Sequence, residues 1–254
     1  MALPTQKVAT KVQSRRVTLS DGKETTVHVV RYERAKVRPR VILFKKPTRL
    51  LDWCKKNEVQ GAIVGGFFWR SEYKPLGEHW LSGKEIDTVP FMSPWNKIRG
   101  SVYIDTFSGL EIGSRQALPK KPSGDLLQAG PLLVQRYQSL VQTGQDIEGF
   151  SKGSGQFDSD ITIGRYPRAA IGSDDQYIWS VVCDGRSQDE AGLTFSELAD
   201  VMVDLGVESA LNLDGGGSAS LVHEKKLLNV SRTPGYIYPR GRKIYSAIAF
   251  DAAE

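Results

Sequence analysis

Val207-Glu208-Ser209-Ala210-Leu211-Asn212-Leu213-Asp214-Gly215-Gly216-Gly217-Ser218-Ala219-Ser220-Leu221-Val222 joins two apolar runs through a carboxylate, three glycines and a serine. Ala210, Leu211 and Leu213 read as a short buried strand, and Asp214 stands where that strand ends. Three successive glycines cost backbone entropy, so they imply positive φ angles or close approach of the backbone to another group. A tight turn normally needs only one or two. With no side chains in the way, the amides of Gly215, Gly216, Gly217 and Ser218 can converge on an anion or a bound oxygen. The run therefore reads as a site rather than as a plain turn.

Upstream, a helix precedes that strand. Thr194 and Glu197 have capping-box spacing, Phe195, Leu198, Ala199, Met202 and Leu205 share one face, and Gly206 ends it. Before the helix, Tyr177–Cys183 reads as a strand that stops at Asp184-Gly185-Arg186. A strand–helix–strand crossover places its two strands parallel in one sheet, with their carboxyl ends on one edge. Asp184 and Asp214 then emerge together, on the edge where α/β sheets hold ligands. Arg168 opens the preceding strand. It joins that edge if its strand pairs with Tyr177–Cys183 as a hairpin through Ser173–Gln176. Turn chemistry also accounts for each Asp-Gly pair, and for Asp184 that reading stands beside the functional one.

The rest of the chain is consistent with one protein of this kind. Arg15–Glu33 reads as a hairpin around Ser20–Lys23, and residues 1–40 as a β-hairpin region packed on a main domain of 41–254. Val41–Phe44 is a strand, Thr48 can cap a helix to about Lys56, and Ala62–Val64 is a second buried strand. It ends in Gly65-Gly66-Phe67-Phe68, where paired glycines meet aromatics. That pattern fits a backbone held close to a ligand beside an aromatic wall, or a bulge over the core. Ser71–Lys97 lacks periodicity and reads as a long, functional loop. Pro119–Gly124 is the best candidate for a lobe boundary, Gly130-Pro131 marks a bend, and Gly144–Asp160 a mobile surface loop. The fold class is α+β: mixed β-sheets with strand–helix–strand units and helices packed on the sheets.

Composition narrows the function. The 254 residues carry a formal charge of +5, mixed along the chain, with no basic block interleaved with aromatics. This suits phosphate-bearing or anionic-glycan small molecules and not nucleic acid. Cys54 and Cys183 read as buried free thiols, and His28, His79 and His223 have no metal-ligand spacing. The N-terminus has no apolar signal-peptide core and no run reaches the length of a membrane span. A soluble, cytoplasmic protein without a membrane partner is expected, or a secreted or periplasmic one if a leader was removed. Asn229-Val230-Ser231 matches the N-glycosylation pattern and reads as accidental. The oligomeric state is not legible.

Gly65-Gly66-Phe67-Phe68, Gly130-Pro131-Leu132, Arg168–Gly172, Asp184-Gly185-Arg186 and Leu211–Ser218 together resemble the phosphodiester glycosidases, in order and spacing, over roughly Val41–Phe250. One departure is Val64, where the family pattern has Asn. The resemblance implies hydrolysis of a sugar-1-phosphodiester of N-acetylglucosamine type at the glycosidic bond. The leaving group is then a phosphate monoester with a second pKa of about 6, which departs as a stable anion. Positive charge and N–H donors on the phosphate matter more than a strong acid. Arg168, Arg186 and the Gly215–Ser218 amides are the candidates. Asp214, with Asp184 second, is the carboxylate that activates water or stabilises an oxocarbenium-like transition state. Gly65, Gly66, Phe67, Phe68 and Gly130 complete the expected substrate contacts. No cofactor is fixed, although such carboxylates can hold Ca²⁺ or Mg²⁺. Two other classes share these residues. One is a non-catalytic carbohydrate- or phosphate-binding relative. The other is a metal-dependent phosphodiesterase that cuts the P–O bond.

Overall fold

The computed structural model describes residues 10–69, 72–141, 145–146, 148–150 and 164–253. Three sheets carry the fold. A seven-stranded sheet runs Thr10–Thr18, Glu24–Glu33, Tyr177–Cys183, Arg168–Ser173, Ser209–Asn212, Leu132–Gln135, Gln138–Ser139, with every neighbouring pair antiparallel. One five-stranded sheet contains Gly100–Ile104 and Asp125–Gln128 at its centre. The other places Lys243–Ala252 between Val37–Arg49 and Gly61–Val64.

Alternation along the strands sorts side chains between two cores. Ala169 and Ile171 join the central cluster, which draws on all three sheets, while Ala170 between them joins the cluster under the helix Phe195–Asp204. Cys183 and Val181 likewise face the helix, and Val182 faces the central core. Both faces of the seven-stranded sheet are thus covered, which explains why Tyr177–Cys183 reads as an apolar run rather than an alternating one.

The expected crossover is present with an addition. Tyr177–Cys183 and Ser209–Asn212 run parallel, but Arg168–Ser173 lies between them, antiparallel to both. Arg168 pairs with Cys183, and Ala170 with Asn212, so Arg168, Asp184 and Asp214 all reach one edge. The helix opens on the expected capping box. Thr194 Oγ1 accepts from Glu197 N at 3.2 Å, and Glu197 Oε2 accepts from Thr194 N at 2.9 Å.

Several local expectations change. The first helix spans Leu50–Asn57, with Arg49 at its N-cap and no side-chain cap. Thr48 instead donates to the Lys46 carbonyl, because the strand continues through Arg49. The stretch read as a long loop contains short strands at Lys74–Pro75, His79–Leu81 and Lys84–Glu85 and a helical turn at Trp95–Ile98. Pro119–Gly124 is no boundary, since the strands on either side of it pair with the same neighbour, Gly100–Ile104. Gly130-Pro131, a cis peptide, carries the chain from one sheet to another. Of the Gly144–Asp160 segment the described part includes Glu148 and Phe150, both buried; the remainder lies outside the described residues. The longest helix has 10 residues, so among the described residues none is long and apolar enough to cross a membrane.

Candidate active site at the triple-glycine bend

The strand Ser209–Asn212 delivers Asp214 to a half-buried position at the sheet edge. Its amide donates to the Gly65 carbonyl at 2.9 Å, so the paired glycines from the neighbouring sheet lie against it. A Cβ on Gly65 would stand 2.5 Å from Ser246 Oγ and 2.9 Å from the Ala247 amide nitrogen; here glycine is required for backbone contact. Gly66 packs equally closely on the Gln128 carbonyl.

The bend itself is a single 3₁₀ turn over Gly216–Ser218. Gly216 has φ +58°. The four amides do not all converge outward, which corrects the simplest expectation of an anion nest. Gly216 N donates to the Pro167 carbonyl at 2.7 Å, and Ser218 N to the Gly215 carbonyl at 3.1 Å. Ser218 and Gly217 are buried, while Asp214, Gly215 and Gly216 are partly open. Gly217 fits beneath Thr233, and its carbonyl accepts from Ser231 Oγ at 2.6 Å.

Asp184 reaches the expected edge but its carboxylate is engaged. Oδ2 lies 2.9 Å from His28 Nε2, and Oδ1 accepts from Val230 N at 2.6 Å. An ionised carboxylate only accepts, so Nε2 carries the imidazole proton. Nδ1 then faces Ser14 Oγ at 2.8 Å. This relay, buried at His28 and Asp184 and ending at the exposed Ser14, ties the first hairpin to the segment that follows Asn229. The same segment buries Asn229, whose amide bonds Leu221 N and the Ala219 carbonyl, so the glycosylation pattern is structural here. Cys183 beside Asp184 is buried, and burial pushes its thiol up to about 12, outside the range of a nucleophile.

Arg168 is also buried. Its Nε donates to the Leu193 carbonyl and its Nη2 to the Gly164 carbonyl, each at 2.9 Å, and its guanidinium lies 4.1 Å from the Phe195 ring centre. It braces the loops around the edge. Arg186, at φ +63°, is the arginine beside the bend; its Nη1 would be 3.2 Å from a Cβ on Gly216. Phe67 belongs to the core, packed on Phe150 and Phe91, and is not a wall. Phe68 is the half-buried ring, stacked 5.1 Å from Tyr245 with the Arg242 guanidinium 5.3 Å from its centre. Gly130 leaves room for a protein group: its Cβ would stand 2.6 Å from Glu148 Oε2. Glu148 accepts from Leu132 N and Gly100 N, and burial pushes its carboxyl up to about 7.

Sequence reasoning missed the contacts of His28, Glu148 and Arg242. The partners of His28 and Glu148 are fixed by tertiary pairing, and no spacing announces them. A separate cavity of about 480 Å³ is lined by Glu78, Glu85, Asp87, Asn96 and Gln128 among others. None of its lining residues is an expected site residue.

A sequence profile of the phosphodiester glycosidases matches residues 57–250. The chain belongs to this family. Among solved structures it is similar to the zebrafish N-acetylglucosamine-1-phosphodiester alpha-N-acetylglucosaminidase catalytic domain, auto-inhibited by its pro-peptide. The TM-score is 0.72 at 18% identity, covering 96% of this chain and 83% of that one. A hypothetical protein from Synechocystis gives 0.66 at 19% identity, covering 99% of this chain and 64% of that one. A putative exported protein from Burkholderia pseudomallei K96243 gives 0.68 at 14% identity, covering 90% and 74%. These likenesses show the fold; no curated protein matches. Within the family pattern, Val64 is fully buried in the central core.

Proposed function

We propose that this phosphodiester glycosidase hydrolyses the glycosidic bond of a sugar-1-phosphodiester of N-acetylglucosamine type. The observation that carries the reading is the pairing, at one sheet edge, of the half-buried Asp214, whose Oδ2 is shut off from solvent, with a bend free of side chains that Arg186 flanks. The Asp214 carboxylate takes a proton from water as the water oxygen bonds to the anomeric carbon. The anomeric C–O bond breaks, and its electron pair leaves with the phosphate monoester. Because that leaving group is already a stable anion, Arg186 and the remaining bend amides stabilise it without a strong acid. Asp184 positions the edge through His28 and Val230. Its engaged oxygens make a divalent cation shared between two carboxylates a poor fit, and no step here uses one.

The test is incubation with N-acetylglucosamine-1-phosphodiesters in oxygen-18 water, beside Asp214→Asn. Free sugar carrying the label, released by the parent and not by the variant, is the expected result. Label in the phosphate would instead identify a phosphodiesterase. Binding without turnover would identify a non-catalytic relative.

A further inference from the structure

A hydroxyl, an imidazole and a carboxylate stand in line at the outer strand of the seven-stranded sheet. Ser14, on Thr10–Thr18, pairs directly with His28, on Glu24–Glu33. Ser14 Oγ lies 2.8 Å from His28 Nδ1, and His28 Nε2 lies 2.9 Å from Asp184 Oδ2. Both distances are those of formed hydrogen bonds. The two inner members are buried, with side-chain exposures of 10% and 9%, while Ser14 is open to solvent. Asp184 is itself fixed, because its Oδ1 accepts from Val230 N at 2.6 Å. Among the described residues this series of three forms once. His223 Nε2 also meets a hydroxyl, Thr10 Oγ1 at 3.2 Å, but its Nδ1 has no hydrogen-bond partner. His79 Nδ1 meets the Gly77 carbonyl at 2.9 Å, and its Nε2 likewise has none.

The tautomer sets the direction of proton flow. Asp184 holds the His28 proton on Nε2, which leaves the Nδ1 lone pair for the Ser14 O–H. A hydroxyl is a weak nucleophile until an adjacent base takes its proton, and the base serves best when a third group orients it. The geometry points to Ser14 as the nucleophile of a second reactive centre, which cleaves esters of short acyl groups with His28 as its base and Asp184 as the positioning carboxylate. Relative to the serine proteases the two ring nitrogens exchange roles, which leaves the chemistry unchanged. Ser14 Oγ bonds the acyl carbon while its proton passes to His28 Nδ1. The acyl C–O bond then breaks, and the leaving alkoxide takes the proton from Nδ1. Water attacks the acyl-serine, its proton passes by way of Nδ1 to Ser14 Oγ, and a carboxylic acid leaves. In both halves Asp184 faces the imidazolium that forms. Thr10–Thr18 is the outermost strand, so alternate amides along it have no strand partner, either that of Ser14 or those of Gln13 and Arg15. These amides are the available donors for the oxyanion. Val12, two residues along on the same face, is 44% exposed and offers an apolar contact to a short acyl chain. No step uses Asp214 or the triple-glycine bend.

The experiment treats the full chain with a fluorophosphonate probe, locates the adduct by peptide mass spectrometry, and follows p-nitrophenyl acetate hydrolysis in parallel. One adduct is expected, on Ser14. It should form at least about 10²-fold faster than on any other serine or on the heat-unfolded chain, the scale of a positioned general base. Ser14→Ala is expected to abolish both the adduct and the ester hydrolysis. His28→Gln is expected to lower both by about 10²-fold or more. Asp184→Asn is expected to slow the labelling and to shift the downfield proton resonance of His28 Nε2, which a bracing role alone would not tie to Ser14 reactivity. Labelling of Ser14 no faster than of other serines overturns the inference, as does a Ser14→Ala chain that hydrolyses the ester at the parent rate. Ester turnover without a Ser14 adduct places the nucleophile elsewhere and overturns it too. So does a folded His28→Gln variant that labels at the parent rate, because exposure alone would then explain the reaction. If the variants at the buried positions fail to fold, Ser14→Ala at the exposed end decides, with far-ultraviolet circular dichroism showing that its fold is kept.

Discussion

The molecule contains the same architectural unit twice, and only one copy ends in charge. In the first, Val37–Arg49 and Gly61–Val64 run parallel around the inserted Lys243–Ala252, with the helix Leu50–Asn57 as crossover. In the second, Tyr177–Cys183 and Ser209–Asn212 run parallel around Arg168–Ser173, with Phe195–Asp204 as crossover. Each final strand runs into glycines. The first does so through Val64, fully buried, and the second through the half-buried Asp214. They touch where the Asp214 amide meets the Gly65 carbonyl. The difference teaches a division of labour: one unit gives a surface on which backbone can pack, and the other places a half-buried carboxylate against it.

The largest test of that division is Asp214→Asn. It is expected to lower kcat for sugar release about 10³-fold, roughly 4 kcal/mol of transition-state stabilisation, with little change in the unfolding midpoint. Comparable turnover in the variant would erase the contrast between the units. Asp184→Ala comes next. It strands the Val230 amide and His28 in a buried place, so urea unfolding should show a loss of about 3 kcal/mol. Unaltered stability with lost turnover would move Asp184 from scaffold to chemistry. Gly65→Ala sharpens the comparison from the other side. The added methyl meets backbone at Ala247, which predicts a loss of about 1–3 kcal/mol in the same assay. The smallest effect separates the helices. Thr194→Ala removes a formed cap and should cost about 1 kcal/mol, whereas Thr48→Ala should stay within about 0.5 kcal/mol. Equal losses from both would mean that the two helices start alike after all.

Much of this was legible along the chain. The capping box of Thr194 and Glu197 is local physics, and it forms as read. The shared edge of Asp184 and Asp214 follows from the parallel direction of the two strands that a crossover joins and needs no distant contact. What local pattern hides is partnership across the fold. Asp184 and His28 are 156 residues apart, and no local pattern announces the hydrogen bond that engages the carboxylate. Thr48 has cap chemistry, but strand pairing with Ile244 holds it extended, so tertiary register overrides propensity. Arg168 and Arg186 are equally basic on paper. One is drawn into carbonyls beneath the edge and the other is left beside the glycines; only packing tells them apart.

The inserted strand Lys243–Ala252 has a bearing on how the chain is made. It sits inside its sheet, flanked on both sides by strands synthesised some two hundred residues earlier. Translation proceeds from the N-terminus, so those early strands leave the ribosome with open edges and stay unzipped until the last described strand emerges. Closure of that long loop makes assembly slow and exposes sticky strand edges meanwhile. A nascent chain stalled before Lys243 would therefore be a substrate for chaperones rather than a half-finished enzyme.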